Sequence, residues 1–168
     1  MNKFVLKTLS TVALVGALST SAVADEPQFG LGVGVAGQDS TTIRGTITLD
    51  DDMRLEPFFG FGYIDGDSTS STNVSIGSAL HIVKPINAKI SAYYGGFAGI
   101  YSTDTDYTVG TVKTSISSTN FQLGPVAGVE YAFDKQFTLG AEVSFNLGFG
   151  DDTVIGTNSA VLLRYYFN

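Results

Sequence analysis

The sequence predicts an all-β fold: an eight-stranded antiparallel up-and-down transmembrane β-barrel behind a signal peptide. Three observations carry that reading. Side chains alternate with period two along eight stretches, tight turns alternate with polar connections between them, and aromatic rings gather at both ends of the apolar face. The chain has 168 residues, 43% hydrophobic and only 15% charged, which suits one domain and argues against disorder. It has no cysteine, which excludes a disulfide framework, a thiolate metal site and a cysteine nucleophile. A formal net charge of -7 argues against a nucleic-acid partner, because phosphate contacts need clustered Lys and Arg.

Residues 1–24 read as an export signal. Lys3 and Lys7 make the start positive, an apolar stretch runs from Val12 to Leu18, and the small residues Ala22 and Ala24 precede a cut before Asp25. The apolar stretch is too short and too interrupted by Ser and Thr for a span of about 20 residues. Residues 25–168 form the barrel domain.

The eight stretches run at 28–36, 41–49, 53–64, 73–83, 88–103, 118–133, 136–150 and 157–167. In the first, Gly30, Gly32 and Gly34 share one face; their spacing of two on a strand, with no helix after it, excludes a phosphate-binding loop. In the second, Ile43, Ile47 and Leu49 oppose Thr42, Arg44, Thr46 and Thr48. In the third, Leu55, Pro57, Phe59, Phe61 and Tyr63 oppose Arg54, Glu56 and Phe58. The fourth carries the single histidine, His81, on its inner face. The fifth is ambiguous, since Tyr93 and Phe97 alternate with Tyr94 and Ile100, and Lys89 pointing inward assigns its faces. In the sixth, Phe121 and Phe133 share a face opposite Glu130. The seventh is the clearest, with Phe137, Leu139, Ala141, Val143, Phe145, Leu147 and Phe149 against Thr138, Gly140, Glu142, Ser144, Asn146 and Gly148. The eighth sets Val161, Leu163, Tyr165 and Phe167 against Arg164 and Tyr166.

Tight turns are expected at 50–52, 84–87 and 134–135, and longer polar loops at 37–40, 65–72, 104–117 and 151–156. Phe29, Phe133, Phe137, Tyr165 and Phe167 mark the turn end, and Phe61, Tyr63, Phe121 and Phe149 the loop end. A soluble barrel would reverse the faces, exposing a surface with only six charges and hiding the aromatic rings.

Those six charges are Arg44, Arg54, Glu56, Glu130, Glu142 and Arg164, three of each sign. An eight-stranded bore is narrow enough for side chains to fill, so the charges are expected to pair as a plug. The expected neighbours are Glu142 with Arg164, and Arg44 diagonal to Glu56. Two arms, 88–109 and 112–133, mirror each other about Gly110 and Thr111, and are longer than the ~9–11 residues a span needs. Their outer part is expected to project as a ribbon open to strand addition by a surface protein partner. Pro57 and Pro125 interrupt strands and should each mark a bulge or an unpaired carbonyl. The outer loops hold seven aspartates and one Lys113; solvated carboxylates are expected there, with no metal site and no cofactor.

The signal peptide, the eight alternating strands and the ending Tyr165, Tyr166, Phe167 resemble the small bacterial outer-membrane barrels of the OmpA/OmpX type. Members of that family usually finish on the aromatic residue itself, whereas Asn168 follows here. The resemblance implies insertion by the outer-membrane assembly machinery with Tyr165 and Phe167 as its signal, contact with lipid and lipopolysaccharide, periplasmic termini and extracellular long loops. It implies a structural or surface-interaction role without catalysis. The alternatives are a narrow channel for small solutes and an outer-leaflet enzyme acting on lipid A, for which His81 lies at the wrong end.

Overall fold

The computed structural model describes residues 28–36, 40–50, 52–109 and 112–167, so the expected signal segment lies outside the described residues. Eight strands follow one another: β1 (Phe29–Ala36), β2 (Ser40–Asp50), β3 (Met53–Asp65), β4 (Thr69–Pro85), β5 (Ile90–Val109), β6 (Val112–Ala132), β7 (Phe137–Gly150) and β8 (Val154–Phe167). Each pairs antiparallel with the next, and β1 closes on β8 through Phe29 opposite Phe167 and Ala36 opposite Ala160.

Alternation decides the faces. On β1 and β7 every second residue is buried and the others face outward. The outward set is apolar: Leu139 is 42% exposed and Val161 56%, whereas Arg164, Glu56 and His81 are 0%. Greasy side chains therefore cover the outside and ionic ones fill the middle, the reverse of a water-soluble barrel. Aromatic edges meet near the turn end, with Phe137 and Tyr165 centroids 5.0 Å apart and Tyr165 and Phe167 5.3 Å apart.

The ends of the strands differ from the sequence expectation. Residues 69–72 are strand, not loop, and β4 pairs with β5 as far as Thr69 opposite Tyr107, while 104–109 and 112–117 pair as the ribbon expected of the two long arms. β8 begins at Val154, which leaves only 151–153 between β7 and β8. At this end the described connections, 66–68 and 151–153, are three residues each. The extra length sits in a sheet of β4, β5 and β6 that runs past the barrel proper, since β7 accompanies β6 only to Gly150 opposite Asn120. The centre of the β5–β6 hairpin, Gly110 and Thr111, falls outside the described residues, although Val109 and Val112 pair across it.

On β5 the odd residues face inward, as expected: Tyr93 is 1% exposed. Lys89, just before β5, is among the residues lining the turn-side end of the bore, its Nζ 5.8 Å from the centroid of the Tyr131 ring. Neither proline makes a bulge. The β2–β3 register is the same before and after Pro57, with Arg44 opposite Phe58 and Ile47 opposite Leu55. Across Pro125, Leu123 opposite Leu147 and Val126 opposite Ser144 likewise keep one register. Each proline opens a two-residue gap toward one neighbour and stays paired with the other, Pro57 with Ser78 and Pro125 with Gly96. Gly45 faces the Pro57 ring, and a Cβ there would lie 3.3 Å from its Cγ, so the missing side chain makes room for the ring. The one register shift among these strands lies between Thr48 and Asp50, beside the β2–β3 turn.

Candidate functional site: an ion-pair layer and two vestibules

β2, β3, β6, β7 and β8 each send charge into the bore. Arg164 donates from Nε to Glu56 Oε1 (2.8 Å), from Nη2 to Glu56 Oε2 (3.2 Å) and from Nη1 to Glu130 Oε2 (3.2 Å). Arg54 Nη1 donates to Glu130 Oε2 (2.9 Å) and to the Tyr166 hydroxyl (3.0 Å). Its Nε lies 2.9 Å from Glu56 Oε1 without the direction of a hydrogen bond. Arg44 grips Glu142 with both terminal nitrogens, at 2.9 and 3.1 Å, and reaches Glu56 at 3.4 Å. Paired forks of this kind are the strong form of a buried ion pair.

All six charges found in the sequence thus join one network. The diagonal Arg44–Glu56 contact is present but long, and Glu142 does not bond Arg164. Its partner is Arg44, across the bore. The cause is register: the β7–β8 hairpin sets Ala160 opposite Glu142 and Thr138 opposite Arg164, four residues apart. The loop is shorter than the expected 151–156, which puts the hairpin centre nearer β7.

β4 and β5 add groups whose part in this layer periodicity alone did not reveal. His81 is fully enclosed, its ring 4.9 Å from that of Tyr93. Its Nδ1 is 3.9 Å from Glu56 and its Nε2 3.9 Å from Glu142, and neither nitrogen has a hydrogen-bond partner. Tyr93 lies against the guanidinium groups of Arg54 (4.9 Å) and Arg164 (5.3 Å) and donates to Glu142 at 3.3 Å. Periodicity places an aromatic ring inward here but cannot say that it meets two cations. β1 gives glycines only; a Cβ on Gly32 would stand 3.2 Å from Arg164 Cγ, so this face seats the large side chains.

Above and below the layer the bore widens. On the loop side a cavity of about 440 Å³ is lined by Phe58, Tyr101, Asn73, Gln122 and Asn146, with Arg44 and Glu142 as its floor. On the turn side a second, of about 510 Å³, includes Arg54, Glu130, Tyr166 and Lys135. The layer lies between these two spaces, together with buried inward-facing side chains such as Leu162 and Thr46 that line neither. Ser75 lines the loop-side cavity, while Ser78 belongs to the opposite face, so His81 and Ser78 do not share a site. Among the described residues no group of three His, Asp or Glu is disposed to hold a metal ion.

Similarity in three dimensions points one way. The N-terminal β-barrel domain of Pseudomonas aeruginosa OprF superposes with a TM-score of 0.55 at 16% identity, covering 84% of this chain and 96% of that one. The chain has the fold of the eight-stranded outer-membrane barrels. Neisserial surface protein A (NspA) gives a TM-score of 0.56 at 17% identity, over 84% of this chain and 94% of that one. A major outer membrane protein of Thermus thermophilus gives 0.56 at 12% identity, over 84% and 99%. No family model and no curated protein matches the sequence. At such low identity the likeness shows the fold alone.

Proposed function

We propose that the protein is an integral, non-enzymatic component of the bacterial outer membrane, plugged by its ion-pair layer, that acts at the cell surface through the projecting β4–β6 sheet. The observation that supports membrane residence is the inverted polarity of the barrel, with an apolar outside around an ionic interior. In this reading the termini and the turns at 51–52, 86–89 and 133–136 face the periplasm. Tyr165 and Phe167 form the signal read by the assembly machinery, and the apolar band meets lipid and lipopolysaccharide.

The surface role is supported by an open strand edge. Among the described residues no strand lies beyond Val112–Ser118 of β6. Thr119 directs both backbone groups to that side, where its carbonyl accepts from Asp151 N and its N–H donates to Asp151 Oδ2. By alternation the backbone groups of Ser117, Ser115 and Lys113 point to the same side and are free to pair with an extended segment of another protein. Electrophoresis in SDS with and without boiling tests the barrel, since a folded outer-membrane-type barrel migrates differently after heating. Substituting Ser115→Pro and Ser117→Pro removes two edge donors, and with them the side-chain bonds to Asp106 and Asp104 of β5. Ser115→Ala with Ser117→Ala, which lose only those side-chain bonds, serves as the control. Loss of surface-protein pull-down in the proline double variant, with the heat shift retained, is the expected outcome; undiminished capture would reject the edge as the docking element.

A further inference from the structure

We infer that the loop-side cavity is a blind cup for a neutral pyranose, either a free sugar or the end of a glycan chain. Its size, about 440 Å³, lies within the range of small-ligand pockets. The wall above the floor is uncharged and mixes aromatic rings, Tyr101, Phe58 and Phe97 among them, with amides and hydroxyls. Tyr101 is half-buried and leans on Phe58, ring centroids 6.3 Å apart, and it presents the rest of its ring to the cavity. An aromatic ring beside hydrogen-bonding groups matches a pyranose, which has an apolar C–H face and a polar rim of hydroxyls.

The amides are set for that rim. Asn73 Oδ1 accepts from the Thr103 hydroxyl at 2.8 Å and Asn146 Oδ1 accepts from the Ser144 hydroxyl at 3.1 Å. Both carbonyl oxygens being used in this way, the two amide nitrogens remain as donors, and the Gln122 amide adds a donor and an acceptor. Charge is confined to the floor, where Arg44 and Glu142 neutralise one another across 2.9 Å. An anion entering the cup would have to compete with Glu142 for Arg44. It would also pass exposed acids at the mouth, Asp151 and Asp152 among them, with Lys113 the one lysine in the outer segments. The cup therefore selects uncharged sugars over phosphorylated or sulfated ones. It is blind because the ion-pair layer closes it, so the sugar is held, not passed.

Saturation-transfer NMR on the folded protein tests this, in a zwitterionic detergent because glucoside detergents carry the headgroup in question. Maltose and dextran serve as neutral probes, with glucose 6-phosphate as the charged one. Saturation should reach maltose, and Tyr101→Ala and Gln122→Leu should each weaken the signal by about tenfold in affinity. Tyr94→Ala, on the outward face of the same strand, should leave it unchanged. Transfer to maltose alone assigns a free sugar; transfer to dextran as well assigns a chain end. The heat-dependent gel shift of each variant reports folding independently, and the two substitutions lie on different strands, so one misfolded variant does not remove the test. No transfer to either neutral probe, equal transfer in a folded Tyr101→Ala or Gln122→Leu variant, or glucose 6-phosphate binding as tightly as maltose overturns the inference, and none of these bears on whether the chain is a membrane barrel.

Discussion

Arg164 holds Glu56 with two nitrogens and Glu130 with a third, and no part of its side chain meets solvent. Removing it strands carboxylates in a medium that cannot solvate them. Arg164→Ala should lower the unfolding free energy by about 3–5 kcal/mol, read from urea titration of the protein refolded in lipid vesicles. Glu142 tests the geometry more sharply. A double-mutant cycle should give a coupling of about 1–3 kcal/mol for Glu142 with Arg44, and a value smaller by at least about 1 kcal/mol for Glu142 with Arg164. The reverse ranking would restore the neighbour relation expected from sequence. Which of the six charges point inward was legible from parity, because a strand has only two faces; only the fifth stretch, with aromatic rings on both, needed more. Which of them touch was not: Arg44 and Glu142 are 98 residues apart and meet only because the sheet closes. The enclosure of His81 without a hydrogen bond was equally invisible, since it depends on Tyr93 and both carboxylates being in place.

The strands teach a related lesson about where periodicity fails. β7 was readable end to end because one of its faces meets a nonpolar surround and the other a polar interior. Residues 69–72 are Ser- and Thr-rich on both faces, and without that contrast they looked like loop, although they are paired strand. Residues 104–109 and 112–117 are as polar, and there only the mirror symmetry of the two arms pointed to the ribbon that the strands form. Turns were legible where a side chain closes them: Asp50 accepts from Asp52 N, Asn87 from Lys89 and Ile90 N, and Asp134 from Gln136 and Phe137 N. The N–H groups of Phe137 and Gln136 hold the Asp134 carboxyl below its usual range. A lowered carboxylate value means stability that is present above the ordinary carboxylate range and lost as pH falls through the folded value. Asp134→Ala should accordingly be less stable than the parent at neutral pH, with the difference shrinking in acid; a difference that persists unchanged at low pH would assign the loss to something other than the ionised carboxyl. The prolines allow an opposite test. Pro57→Val returns an N–H to the gap facing Gly45 and should raise stability by about 0.5–1.5 kcal/mol, measured by the same urea titration.

At the scale of the molecule, the eight-strand count and the outward greasy face followed from sequence because both are properties of alternation summed over the chain. The division of the interior did not, because the cavities are defined by which long side chains reach the axis and at what height. Arg44, Arg54, Glu56, Glu130, Glu142, Arg164, His81 and Tyr93 form one partition, with about 440 Å³ on one side and about 510 Å³ on the other. That partition is thin: Arg44 and Glu142 line the cavity on one side of it, Arg54 and Glu130 the cavity on the other, and Glu56 touches both Arg44 and Arg54. Water and salt on either side therefore come close to each other, and a potential held across a bilayer containing this barrel would fall mostly over that layer. Moving one elementary charge through such a drop is worth about 2.3 kcal/mol per 100 mV. Electrical recordings at high field would thus act on the very guanidinium–carboxylate contacts that hold the middle shut, Arg44 at the floor of the loop-side cavity among them.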